Sequence, residues 1–206
     1  MEEIAKLLLG IKAVSLSPSK PFTYASGLKG PIYCDNRLII SYPDKRKEII
    51  EGFLNLIKKN NLNCDVVAGV ATGAIATAAL IADKLKKPMV YIRAKTKSHG
   101  KGNKIEGKLE KGQKVLVIED LINTGGSSIS AINTVKEAGC KVVACIAIFT
   151  YGLELAHQKF KDANCRLFTL SNLDALLKAA AKTGYVNEGE KQSILEWQKD
   201  PKNWKK

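Results

Sequence analysis

From about residue 64 onward, apolar runs alternate with stretches whose apolar positions recur every three or four residues. VVAGV, Val66 to Val70, has no polar interruption and predicts a strand buried on both faces. The AIATAALIADKLKK that follows has helical spacing. PMVYIR (Pro88 to Arg93), KVLVIED (Lys114 to Asp120) and KVVACIAIF (Lys141 to Phe149) repeat the strand pattern. GSSISAINTVKEAG separates the last two as a helix ended by Gly139, and CRLFTL (Cys165 to Leu170) predicts a fifth strand. Strands alternating with helices are the pattern of βαβ units. The expected class is therefore α/β, with a central, mainly parallel sheet flanked by helices.

The two ends of the chain depart from this rhythm. MEEIAKLLLGIKAV reads as a short amphipathic helix, and SPSKPFTYASGLKGPIYCDNR, dense in Pro, Gly and Ser, predicts a small irregular β-rich lobe. A helix is expected from Pro43 to Lys59 with Ser41 as its N-cap. Ser171-Asn-Leu-Asp174 reads as a capping box opening LDALLKAAAK, with Gly184 as its stop. LELAHQKF is helical, with His157 on the surface or in packing. The last two dozen residues predict a polar helix closing the domain, with Trp197 and Trp204 packed against it. The expected organisation is a hood over 1–40, an α/β core over 41–184 and a helical tail over 185–206, all in one structural domain. AKTKSHGKGNKIEGKLEKG, Ala94 to Gly112, separates two predicted strands by about twenty residues. Connections that long are usually functional or mobile.

Composition narrows the class. No apolar run in the 206 residues approaches the roughly 20 needed to span a membrane, and two glutamates stand where a signal peptide would be positive. A cytoplasmic protein without a membrane partner is expected. The five cysteines are odd in number and never form CxxC, so reduced thiols are expected rather than a disulfide framework or a zinc site. A net charge of +13 suggests a polyanionic partner, but only four of the 33 basic residues are arginine (Arg37, Arg46, Arg93, Arg166). Reading base edges favours the arginine fork, whereas dispersed lysines suit small anions. The charge therefore points to a small phosphorylated substrate, not nucleic acid.

The chemistry concentrates in VLVIEDLINTGGSS, Val115 to Ser128. The chain has no GxxxxGK[ST] and no GxGxxG, which argues against ATP and dinucleotide sites of those types. What remains is an apolar strand, Glu119-Asp120, and a Thr/Gly/Ser-rich turn opening a helix. In an open α/β sheet ligands bind beyond the carboxyl ends of the strands, and a helix start there offers free N–H groups and a positive dipole end. A sugar phosphate satisfies both halves, with its phosphate on the turn and its hydroxyls on the acids.

At this point the stretch resembles the phosphoribosyl-pyrophosphate (PRPP) motif of type I phosphoribosyltransferases. The resemblance implies PRPP as substrate, Mg²⁺ as cofactor, and displacement of pyrophosphate at the anomeric carbon by a nitrogen nucleophile. AGVATGA, Ala68 to Ala74, is similar to the family's pyrophosphate loop, which implies that Thr72 and Gly73 hold pyrophosphate. The spacing RxKxKxHGxGxxxEG, Arg93 to Gly107, resembles the mobile catalytic loop of the orotate phosphoribosyltransferases, which closes over the neighbouring subunit of a homodimer. FTYASGLKGPIYCDNR, Phe22 to Arg37, resembles the segment that recognises orotate in that group. The likeness runs from about residue 20 to 150.

The roles it implies are specific. Arg93, Lys97, His99, Lys101 and Asp120 would be catalytic. Glu119, Asp120, Asn123, Thr124, Gly125, Gly126, Ser127, Ser128, Thr72 and Gly73 would bind PRPP. Tyr33, Asp35, Arg37 and Thr124 would bind orotate, although Asp35 and Arg37 could instead pair with each other. Mg²⁺ would be held mainly by PRPP and water, with no protein ligand cluster, and the loop 94–107 would be shared across a dimer. The implied reaction converts orotate and PRPP into orotidine 5′-monophosphate and pyrophosphate in pyrimidine (UMP) synthesis. Two departures stand out: Ala25, where some members carry lysine, and Ala94, where some carry a second basic residue. Transfer to another base, or a PRPP-sensing regulator on nucleic acid, are the rival readings. The cationic loop argues against a sensor, which has no leaving group to neutralise.

Overall fold

The computed structural model describes residues 1–24, 27–94 and 104–204. The chain opens with α1 (Glu2–Gly10), β1 (Val14–Leu16), β2 (Phe22–Thr23), β3 (Lys29–Gly30) and β4 (Ile32–Cys34). A 3₁₀ turn (Asn36–Ser41) then leads into α2 (Pro43–Lys59). β5 (Val66–Val70), α3 (Ile75–Leu85), β6 (Met89–Ile92), β7 (Ile105–Glu106), β8 (Lys114–Ile122), α4 (Gly126–Glu137) and β9 (Lys141–Thr150) follow. The chain closes with α5 (Glu154–Asp162), β10 (Leu167–Asn172), α6 (Leu173–Lys182) and α7 (Glu188–Lys199).

Among the described residues the central sheet has the order β10-β9-β8-β5-β6-β7. Every pairing in it is parallel except β6 with β7. The sequence pattern predicts five strands; the sixth, β7, is two residues long and too short to carry a period. At the N-terminus, β1 pairs with β4 and β2 with β3, both antiparallel, apart from the main sheet. This agrees with the expected small β-rich lobe.

The strand alternation sorts the core into two layers. Val67, Leu116, Ile118, Ala144 and Ile146 face α1, α2, α3, α6 and α7, where Leu8, Phe53, Ile81, Leu176 and Trp197 meet them. Val66, Ala68, Val115, Val117 and Cys145 face α4 and α5, where Ile132, Val135 and Phe160 pack. Because side chains in a strand point alternately to opposite faces, these continuous apolar runs are what a sheet covered on both sides requires. All five cysteines are free, and burial pushes the Cys34, Cys64, Cys145 and Cys165 thiols up, which keeps them protonated.

Two caps differ from expectation. Ser41 ends the 3₁₀ turn, while Tyr42 precedes α2 without a side-chain cap and Pro43 starts the helix. Proline at a first helical position lacks only an N–H that would be orphaned anyway. Ser171 is buried and donates to the Met1 carbonyl at 3.0 Å, so Asn172 caps α6, accepting from Ala175 N. The reciprocal capping box lies one helix later, at Asn187 and Glu190 of α7. His157 is exposed, and Trp197 and Trp204 are buried.

Trp197 ties α7 to the sheet: its ring lies 5.4 Å from Tyr151 in an edge-on arrangement, and Gln198 Nε2 donates to the Tyr151 carbonyl at 2.7 Å. Its indole N–H is buried without a partner among the described residues. Chemical denaturation should therefore show Trp197→Ala losing about 3–5 kcal/mol of stability. Trp197→Phe should lose less than half as much, because it keeps a packed ring and removes the unpaired donor.

Candidate active site

β5 and β8 are parallel neighbours, so their carboxyl ends open on the same edge of the sheet and their following loops lie side by side. After β5, Ala71 and Thr72 are joined by a cis peptide and Gly73 and Ala74 lead into α3. After β8, Asn123 and Thr124 precede Gly125, which takes φ +74° at the N-cap of α4 with no side-chain cap. That left-handed backbone suits glycine, and it leaves the first N–H groups of α4 without helical partners. Gly126 contributes no side chain in front of them; a carbon added there would stand 3.9 Å from Thr124 Oγ1.

The period of two along β8 starts the two acids on opposite faces, and at the strand end their carboxyl groups come within hydrogen-bonding reach of each other. Glu119 shares the face of Val115 and Val117, toward α4. It is 3% exposed and accepts from Ser128 Oγ at 2.9 Å, Ser127 Oγ at 3.3 Å and Asp120 N at 3.1 Å. Burial, reinforced by the adjacent Asp120, pushes its carboxyl up to about 8, against a lowering by the Ser128 hydrogen bond. Ser128 is fully buried, so its hydroxyl turns inward to Glu119.

Asp120 shares the opposite face, toward α3. Its Oδ1 accepts from Leu121 N at 2.8 Å, and any side chain at Gly73 would collide with its carboxylate. The two loops are thus locked together across the sheet by a carboxylate resting on a glycine. The Asp120 carbonyl accepts from Asn36 Nδ2 at 2.7 Å, and Asn36 is 4% exposed, with its Oδ1 unpaired among the described residues. The sequence reading passes over Asn36, which lies between the two charged residues of CDNR. Its partner is 84 residues away, so no local spacing could have found it.

On the base side, Tyr33 on β4 is 48% exposed, with Phe22 at 5.6 Å. Arg37 and Asp35 take the alternative the sequence leaves open: they pair at two points, Nε–Oδ1 2.6 Å and Nη2–Oδ2 3.0 Å. The Arg37 guanidinium lowers the Asp35 carboxyl. The Arg37 guanidinium is itself raised first by Asp35 and, among weaker effects, by Tyr33 and Asp120, which puts base-side and ribose-side candidates in one electrostatic neighbourhood. Arg93, just past β6, pairs with Glu106 of β7 at 3.3 Å while its N–H donates to the Lys104 carbonyl at 2.9 Å. Lys97, His99 and Lys101 lie outside the described residues, as does Ala25. A cavity of about 520 Å³ opens between Tyr24 and Leu28 of the N-terminal lobe, Asn123 and Thr124, and Leu153 and Trp197.

Known proteins resemble this chain over nearly its whole length. The Phosphoribosyl transferase domain model matches residues 42–174. A protein of Coxiella burnetii (strain RSA 493 / Nine Mile phase I) described as orotate phosphoribosyltransferase is 56% identical over 202 residues, 98% of this chain and 97% of that protein. Among solved structures, an orotate phosphoribosyltransferase from Aeropyrum pernix superposes with a TM-score of 0.76 at 26% identity, over 89% of this chain and 99% of that one. Leishmania donovani UMP synthase superposes with a TM-score of 0.79 at 24% identity, over 96% of this chain but 42% of that longer one, a likeness of fold. With a matching domain model and near-full-length relatives, the chain belongs to the phosphoribosyltransferase family, among the orotate phosphoribosyltransferases.

Proposed function

We propose that this chain transfers the phosphoribosyl group of PRPP to N1 of orotate, forming the N1–C1′ bond and breaking the C1′–O bond to pyrophosphate, a step of UMP synthesis. The observation that carries this reading is the glycine-opened start of α4 beside the Thr72–Gly73 loop, joined by Asp120, in a chain 56% identical to an orotate phosphoribosyltransferase.

The 5′-phosphate sits on the N–H groups of Gly125 to Ser128 with Asn123 and the Thr124 hydroxyl beside it, where free N–H groups and the helix dipole favour an anion. Asp120 takes the ribose hydroxyls, and Glu119 supports it and holds the Ser127 and Ser128 side of the cup. The Asp120 carboxylate at the ribose also favours the positive charge that grows on the ring as pyrophosphate departs. Thr72 and Gly73 hold pyrophosphate. Tyr33, Asp35, Arg37 and Thr124 hold orotate, with the Asp35–Arg37 pair positioned to exchange partners when an anionic base arrives.

Arg93, Lys97, His99 and Lys101 neutralise the leaving group as the 94–107 loop closes and excludes water, reaching across a homodimer. In this reading residues 1–40 form the hood over the base, 41–184 the catalytic core and 185–206 the closing tail, in a cytoplasmic enzyme. Mg²⁺ rides mainly on PRPP oxygens and water, as a cation that keeps several waters and substrate phosphates as ligands does. When bound it offsets the pyrophosphate charge.

Orotate absorbance should fall when the purified protein is mixed with orotate, PRPP and Mg²⁺. No loss while PRPP still binds, or turnover of uracil or hypoxanthine in its place, would overturn the assignment. In the same assay Lys97→Ala should lower kcat about a hundredfold, with PRPP affinity changing much less, because the loop acts on charge that develops in the transition state. Equal losses in both would remove Lys97 from that role.

Glu119 also makes a pH prediction. Its folded-state carboxyl is raised above the ordinary value of 4.5, to about 8, so the stability tied to its proton is fully present below pH 4.5 and is lost as pH rises toward 8. Thermal unfolding of the ligand-free protein between pH 5 and 8 should therefore show a falling melting temperature, with a shallower fall in Glu119→Gln. Parallel slopes for the two proteins would refute the assignment.

A further inference from the structure

Neutral N–H groups at a helix start carry about half a unit charge between them, whereas a ribose 5-phosphate carries close to two negative charges at neutral pH. In the reading above, that phosphate is also set within a short turn of Glu119 and Asp120. A formal cation would complete the charge balance of the cup, and VLVIEDLINTGGSS contains none.

The structure supplies one from elsewhere in the chain. α5 packs against the mouth of the cup: a side-chain carbon on Gly125 would touch Phe160 at 3.4 Å. One residue earlier on α5, the Lys159 ammonium stands 4.0 Å from where a side-chain carbon on Gly126 would be, and Thr124 Oγ1 stands 3.9 Å from the same point. Apart from the glycine's own helix and neighbours, no other described atom comes within 4 Å of it. Thr124 and Lys159 therefore flank the space that Gly126 leaves open in front of the helix N–H groups.

Lys159 is half-buried and its Nζ makes no hydrogen bond or ion pair with a described residue. Asp162, three residues on and within ordinary reach along the same helix face, is engaged by Gln158 at 2.6 Å instead. Glu137 lines the same groove of about 450 Å³, but from the far end of α4, about 16 Å along the helix axis. An ammonium with no described partner beside an uncapped helix start offers a doubly charged phosphate a charge-assisted contact in addition to the main-chain N–H groups.

We propose that Lys159 is a substrate-binding residue of this chain that holds the 5′-phosphate of PRPP from outside the phosphate loop, and so sets the preference for a 5-phosphorylated ribose donor. This rests on the phosphate-cup reading under Proposed function. The sequence conceals it, because Lys159 lies in HQKFKD, more than thirty residues beyond the loop, on a helix whose one other lysine, Lys161, is exposed.

The test is steady-state kinetics of Lys159→Ala, Lys159→Gln and Lys159→Arg, together with protection by ligands. Loss of one charge-assisted contact should raise KM for PRPP about tenfold or more in the alanine and glutamine variants, with kcat lowered far less and KM for orotate unchanged. Lys159→Arg should recover most of the affinity. Inorganic phosphate should raise the melting temperature of the wild type more than that of Lys159→Gln, and added salt should weaken PRPP binding more steeply in the wild type. If Lys159→Ala fails to fold, Lys159→Gln keeps the aliphatic stem and carries the comparison. An unchanged KM for PRPP in Lys159→Gln overturns the proposal. Thr124→Ala separates the two levels: if it raises KM while Lys159→Gln does not, only the role of Lys159 falls. If neither variant changes KM, the phosphate cup itself is misplaced.

Discussion

The Asp120 carboxylate lies where a side chain on Gly73 would have to go, and the geometry at the carboxyl edge of the sheet depends on that contact. It lets the loop after β5 and the loop after β8 approach until they form one concave surface. A second close approach supports it from below, since a carbon added to Gly69 on β5 would stand 2.9 Å from Ala78 of α3. Small residues on both sides bring α3 down onto the strand, and the loop that precedes it comes along. Close packing of this kind turns a sheet edge into a defined site, because interiors at crystal-like density leave little freedom for the elements they carry.

The N-terminal lobe and the C-terminal helix are fastened to this frame by contacts distant in sequence. Asn36 reaches the Asp120 carbonyl, and Gln198 reaches the Tyr151 carbonyl just past β9. Lys182 pairs with Glu2 at 2.7 Å, and Ser171 bonds the Met1 carbonyl, so the first helix closes on α6 and β10. The exposed Lys182–Glu2 pair contributes little energy by itself. The buried hydrogen bonds matter more, because breaking one strands a desolvated polar group. The lobe that carries Tyr33, Asp35 and Arg37 is thereby tied to the strand that carries the acids.

Electrostatics at the site run against the overall charge. The chain is strongly basic, yet its most perturbed functional carboxylate, Glu119, is held toward its neutral form by burial and by Asp120. A neutral Glu119 repels an incoming phosphate less than a charged one. Two serines of the turn into α4 are committed to it, which fixes the turn and would reduce the ordering that binding must cost.

The sequence by itself determined the architecture and the chemistry of the central strands. Uninterrupted apolar runs predict β5 with its observed bounds and β6, β8 and β9 to within one or two residues, because a sheet covered on both faces leaves no polar position in its strands. It showed the glycine-rich turn into α4 as well, since Gly125 and the free helix start are local properties. It did not reveal β7, whose two residues have no period, or the cap of α6, because Ser171 is drawn off by Met1. Only the tertiary structure decided what the adjacent acids meet, Glu119 the serines of α4 and Asp120 the loop at Gly73. Adjacency along a strand means opposition across it, and what each face meets is set by elements far away in the chain. The same holds for Asn36, whose partner lies across the fold, and for Lys159, which α5 brings beside Gly126; neither leaves a trace in local spacing.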